Sequence, residues 1–219
     1  MDKIYQEFKV YFDEENKEKA VNYMLEKLRN EEISVIDLYT NVLTPLLNNI
    51  ECDLEDKRIC IWKEHVKTAI VRTIVENSYP YVIEKRNLEN MPVKGTAVVL
   101  CPPDEYHDLG ARMISDFFTI CGYGSIFVGG NTPYKDFYNA VSLIKPEVVA
   151  ISVSNYFHLV ATKRMIEELR SSVDYPLRIV VGGYAFHDDE ENKLRTVGAD
   201  IFANSFDDIL KLSGNEVQS

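Results

Sequence analysis

No stretch of eighteen apolar residues occurs in this 219-residue sequence, so hydropathy gives no candidate for a transmembrane helix. The N-terminus, MDKIYQEFKVYF, lacks the cationic-then-apolar order of a secretory signal, and a soluble cytoplasmic protein without membrane contact is expected. Basic residues are scarce: 24 Lys and Arg stand against 35 Asp and Glu, for a formal charge of −11. Such a surface repels phosphate backbones, so no direct nucleic-acid binding is expected. The four cysteines, Cys52, Cys60, Cys101 and Cys121, form no C-x-x-C and no clear pairing pattern, and reduced thiols are expected rather than a zinc site. Neither G-x-G-x-x-G nor G-x-x-x-x-G-K-[ST] is present, which removes the physical basis for dinucleotide or P-loop binding. No catalytic nucleophile, paired carboxylates or zinc constellation stands out, so the chain by itself is expected to catalyse little.

What is present falls into two textures. Up to about residue 88 the apolar residues recur every three or four positions, as in AVNYMLEKL and VIDLYTNVLTPLL, the period of amphipathic helices. Ser34 is the expected N-cap of the second of these, and Pro45 is expected to kink it or end its regular hydrogen bonding. A longer helix is expected from about Ile59 to Val82, with Pro80 near its end. NLENMPVKG then changes the composition, with Pro92 and Gly95 marking a linker. Strands follow at Ala97–Cys101, Ser125–Val128, Val148–Ser154, Arg178–Val181 and Ile201–Phe202. Helices are expected between them near Leu109–Cys121, Tyr134–Ile144, Leu159–Ser171 and Glu190–Thr196, with a last one near Phe206–Leu212. Continuous apolar strands such as VVAISVS belong to a parallel sheet covered on both faces. The expectation is α + α/β: a helical bundle over 1–90, a linker at 91–94, a flavodoxin-like (Rossmann-type) five-stranded parallel domain over 95–212, and a disordered tail at 213–219.

Ligands of such sheets sit in the crevice at the carboxyl ends of the strands. A phosphorelay receiver needs a carboxylate at the end of its third strand, where this chain has SVSN. The residues that do stand at the strand ends are Glu105-x-His107-x-x-Gly110, then Ser152-x-Ser154 after 41 intervening residues, then Gly182-Gly183 after 27 more. Each alone has a bland reading: a solvated histidine, ordinary polar residues, a turn after a strand. In combination, with both spacings, they resemble the cobalamin (B12)-binding domains of the methionine synthase type, whose pattern is D-x-H-x-x-G, S-x-L and G-G. The resemblance covers residues 95 to 212, and the helical half before it is similar to the bundle that covers the upper face of the corrin in that family.

The resemblance implies a cofactor bound base-off. The cobalamin's own dimethylbenzimidazole leaves cobalt, its nucleotide tail threads into the sheet domain, and His107 becomes the lower cobalt ligand. Glu105, where the family more often has Asp, would orient the ring and raise its basicity. Asp108 and Gly110 belong to the same loop, and Gly110 would let the helix begin close beneath the corrin. Ser152, Ser154, Gly182 and Gly183 would line the slot for the tail. Ser154 departs from the family's usual Leu. His158 replaces the serine that extends the hydrogen-bond relay from the acid, and either takes over that bond or simply begins the next helix.

In the bundle, IWKEHVKTAIV at 61–71 carries Glu64 and His65, a pair that is solvated on the bland reading. It is also similar to the Glu-His pair of light-responsive MerR-type cobalamin regulators, which would make His65 a candidate upper ligand. Where those regulators carry a tryptophan ten residues before the Glu, this chain has Leu54. Trp62, one helical turn before His65, either fills similar space or packs between helices. The cofactor would be adenosyl-, methyl- or hydroxocobalamin. The expected function is a B12 or light sensor that signals to a separate regulator, since the chain has no helix-turn-helix of its own, a reading favoured by the Glu-His pair and Glu105; the alternative is a corrinoid protein that carries methyl groups between methyltransferases. A third reading is a degenerate domain holding a haem or another tetrapyrrole. The partners implied are the corrinoid, a regulator or methyltransferase, and a second copy in a homo-oligomer.

Overall fold

The computed structural model of the chain describes residues 2–50 and 57–214. Cys52, Leu54 and the last residues of the expected tail, 215–219, lie outside them. The chain divides into two compact units, the first ending at Lys85 and the second beginning at Arg86.

The first unit is helical. Helix α1 (Asp2–Asp13) buries Phe8 and Phe12, and α2 (Lys17–Arg29) buries Ala20, Met24 and Leu28, the spacings of one helix face. The Asn16 side chain caps α2 by accepting from Lys19 N–H at 3.2 Å. Ser34 is an N-cap as expected, accepting from Asp37 N–H at 3.0 Å at the start of α3 (Val35–Asp37). The segment Leu38–Leu43 that follows is π-helical, and α4 (Thr44–Asn48) resumes with Pro45 in its first turn. Proline has no N–H to give to the preceding turn, and the chain accommodates it where the helical register changes. Helix α5 (Lys57–Glu89) runs through Pro80 and ends seven residues beyond the expected Val82. Val75 and Val82, on either side of that proline, are fully buried, so packing holds a helix that local propensity would stop.

The second unit is a five-stranded parallel sheet in the order β2-β1-β3-β4-β5. Its strands are β1 (Thr96–Leu100), β2 (Gly124–Gly129), β3 (Val148–Ser152), β4 (Arg178–Gly182) and β5 (Ile201–Phe202). They alternate with α6 (Leu109–Ile120), α7 (Tyr134–Ile144), α8 (Leu159–Ser172), α9 (Glu190–Val197) and α10 (Phe206–Leu212). The central strands are buried almost throughout, and Val98, Leu100, Val149, Ile151, Ile179 and Val181 form one core with Phe137, Met165 and Phe186. Each such side chain withdrawn from water contributes about 1.5–3 kcal/mol. β3 stops at Ser152, two residues short of the expected end, because the Ser154 and Asn155 amides turn away from the ladder. Strand order reverses across β1, which opens the crevice between the ends of β1 and β3.

Two cysteines answer to the sequence and one does not. Cys101 and Cys121 are buried free thiols. Cys60 is disulfide-bonded, contrary to the expectation of reduced thiols throughout. Disulfide formation depends on how closely the fold brings two backbones together, which spacing alone does not give. Among the described residues no helix is long and apolar enough to cross a membrane.

Candidate functional site

The loop after β1 turns sharply at Asp104, whose φ of 65° lies in the left-handed region. Asp104 N–H donates to Asn131 Oδ1 at 3.0 Å, and Asn131 N–H donates to Glu105 O at 2.8 Å, so the loop after β2 holds this turn from one side. The turn sends the Glu105 side chain inward, where it is fully buried, while the His107 ring on the same loop is 66% exposed.

Four N–H donors converge on the Glu105 carboxylate. Oε1 faces His107 Nδ1 at 2.7 Å and accepts from His107 N–H at 3.1 Å. Oε2 accepts from Ser154 N–H at 2.9 Å and Asn155 N–H at 3.0 Å. Burial by itself pushes the carboxyl up, but the His107 ring and the His107, Asn155 and Ser154 amides outweigh it and hold the group down at about 2. A carboxylate that stays ionised accepts a hydrogen bond from Nδ1–H, which leaves the unprotonated Nε2 on the far side of the ring. The Cys101 thiol, at the foot of the same loop, is pushed up to about 12 by burial and the charges of Asp108 and Glu105, so it is no nucleophile at neutral pH.

The floor beside the loop is made by glycines that cannot be anything else. Ser152 pairs with Gly182 in the β3–β4 register. A Cβ on Gly182 would meet Ala203 O at 2.2 Å, and one on Gly183, whose φ is 99°, would meet Val153 O at 2.5 Å. Gly110 is different: a Cβ there would meet nothing within 4 Å, so nothing in the chain itself requires the glycine.

Glu105, His107, Asp108, Gly110, Ser152, Ser154, Gly182 and Gly183 therefore all lie at the carboxyl edge of the second unit's sheet. Asp108 is the residue before α6, with no side-chain cap bond to the helix. His158 closes a short 3₁₀ turn, Tyr156–His158, and precedes α8; backbone amides, not its imidazole, occupy the second oxygen of Glu105. Trp62, Glu64 and His65 lie on α5 with exposed side chains. Trp62 is 68% exposed, which rules out packing between helices. Sequence reasoning missed Asn155, which offers its amide to Glu105, and the support that Asn131 gives the turn. The run GGNTP after β2 was a signal for the second, since a turn-forming loop at that edge must border the crevice.

The family described as the B12 binding domain matches residues 95–211, and the chain belongs to that family. Its cofactor is accordingly a cobalamin. The chain is 25% identical over 129 residues to trimethylamine corrinoid protein 1 of Methanosarcina acetivorans, a match covering 58% of each, so it spans little more than half the length of that relative. Its fold is similar to that of the monomethylamine corrinoid protein of Methanosarcina barkeri, with a TM-score of 0.81 at 14% identity over 97% of both chains. A cobalamin-binding protein from Desulfitobacterium hafniense gives a TM-score of 0.53 at 14% identity over 96% of this chain and 97% of that one.

The residues present fit the group. A neutral imidazole with one nitrogen held by a buried carboxylate is a good donor for a transition metal through the other. At Gly110 open space lies where a side chain would stand, whereas Gly182 and Gly183 let the backbones of β4 and its turn approach Ala203 and Val153 closely.

Proposed function

We propose that this chain is a corrinoid protein that carries a methyl group between methyltransferases, holding its cobalamin base-off through His107. The observation that carries the reading is the clamp on the His107 ring by a fully buried Glu105. The likeness to the trimethylamine and monomethylamine corrinoid proteins supports carriage over sensing. When bound, the cobalamin supplies a cobalt that accepts and gives up a methyl group. The chain's part is to bind and orient: His107 Nε2 as lower ligand, Glu105 to fix the ring, Ser152, Ser154, Gly182 and Gly183 to line the tail's slot, and Asp108 and Gly110 to border it. Partners of this kind would be methyltransferases, one charging the protein and one discharging it.

Reconstitution with methyl- and hydroxocobalamin tests the reading. The His107→Ala variant should keep its far-ultraviolet circular dichroism and show a changed visible spectrum of the bound cofactor. An unchanged spectrum would remove His107 from the metal. Methyl transfer from the loaded protein to a thiol, dependent on an added corrinoid:thiol methyltransferase, is the expected functional result.

A light- or B12-responsive sensor akin to the MerR-type regulators is the second reading, favoured by Trp62 and His65 standing exposed one turn apart on α5, with Glu64 beside them. There His65 would be the upper ligand. Identical oligomeric state and protein circular dichroism before and after illumination of the adenosylcobalamin-loaded protein would eliminate it.

A further inference from the structure

The two edges of the sheet are finished differently. β5 is two residues long and follows Asp200, so that edge offers almost no ladder. β2 has six residues, and its outer side has no strand partner among the described residues. Gly124 N–H donates to Gly95 O at 3.0 Å, which turns Gly124 toward β1 and, by the two-residue alternation of a strand, Ile126 as well. Ser125 and Phe127 therefore direct their N–H and C=O groups to the open side. Ile126 and Val128 share the face opposite Ser125, whose hydroxyl is tied to Ser115 at 2.8 Å, and they remain 40% and 47% exposed.

An open edge is usually guarded by lysine, proline or an inward-pointing charge. The strand itself has none: from Phe117 to Tyr134 there is no charged residue and no histidine, in a chain of net charge −11, and the Arg112 guanidinium over the Phe127 ring is paired with the buried Asp116. A register shift between Val99 and Leu100 offsets Gly129 and confines the straight part of the edge to Gly124–Phe127.

We propose that this edge pairs with the same edge of a second copy of the chain, antiparallel about a twofold axis at Ile126. The outward-facing positions, Ser125 and Phe127, flank Ile126 symmetrically, so the edge reads alike in both directions, which is what an isologous contact requires. Pairing about Ile126 sets Ser125 of each copy opposite Phe127 of the other, and each pair exchanges reciprocal backbone hydrogen bonds. The two Ile126 side chains then meet across the axis as a non-hydrogen-bonded pair, with Cα atoms about 4.5 Å apart, and cover each other's apolar surface. The missing charges fit this partner above others. Two chains of like net charge can approach only where neither brings a charge to the seam.

Sedimentation equilibrium of the full, cobalamin-loaded chain over a micromolar concentration series should show the mass rising from one chain to two. Ile126→Glu sets like charges directly opposite each other and should weaken the association about tenfold or more. Ile126→Cys keeps a small apolar side chain and reports register: with diamide it should give a disulfide-linked dimer on a non-reducing gel. Val128→Cys should not, because Val128 faces Gly124 of the other copy. A single-chain mass throughout the series, a dimer indifferent to Ile126→Glu, or equal cross-linking of the two cysteine variants would each overturn the proposal.

Discussion

Glu105 spends one oxygen on the ring and amide of His107 and the other on two amides at the end of β3. An aspartate at this position is a methylene shorter and could not span both sets without moving the loop, so the longer acid goes with a histidine that is held from the neighbouring strand. Its carboxyl lies near 2, below the ordinary 4.5, so the ionised form favours the folded chain. That contribution is complete above about pH 4.5 and fades as the pH falls toward 2. Glu105→Gln should therefore lower stability at pH 7 by about 2 kcal/mol, since an amide nitrogen would face donors that need an acceptor. It should also flatten the loss of stability between pH 5 and pH 2. Urea unfolding at several pH values measures both effects.

At the scale of elements, the β3–β4 junction is where a small change should cost most. Gly183→Ala forces a Cβ into the Val153 backbone at a φ of 99°, and the expected outcome is a loss of more than about 2 kcal/mol and a lower melting temperature. Cobalamin uptake should fall in parallel, because the same turn is proposed to line the slot for the nucleotide tail. The strands were legible because buried parallel strands are continuous apolar runs, and the helices because their apolar period differs from that of strands. The ends were less so. β3 ends near Ser152 because the Ser154 and Asn155 amides answer to a carboxylate 49 and 50 residues away in sequence, and α5 passes Pro80 because tertiary burial outweighs a local breaker. The positions of His107, Glu105 and the paired glycines could be read from spacing. The fourfold saturation of Glu105 could not, since three of its donors are backbone amides that carry no side-chain signature. Trp62 illustrates the opposite failure: a lone tryptophan in an amphipathic helix ordinarily packs inward, and here it stands in solvent.

For the molecule as a whole, charge sets the terms of association. Two chains at −11 repel at a distance even when the seam between them is neutral. Raising the salt should therefore tighten self-association through β2, the reverse of what a salt-bridged interface would show, and equilibrium sedimentation at two ionic strengths reads the sign. A duplex DNA should not bind at either. Folded chains of this kind keep a net stability of only about 5–15 kcal/mol, so a glycine left inside a helix is a measurable sacrifice, near 0.5–1 kcal/mol relative to alanine. Gly110, in the first turn of α6 with open space where a methyl group would go, makes that sacrifice without relieving any crowding in the protein. Gly110→Ala should thus melt higher than the parent when empty, while larger replacements there should exclude the corrin. A residue whose enlargement strengthens the vessel and spoils the filling would separate occupancy from integrity in one mutational series.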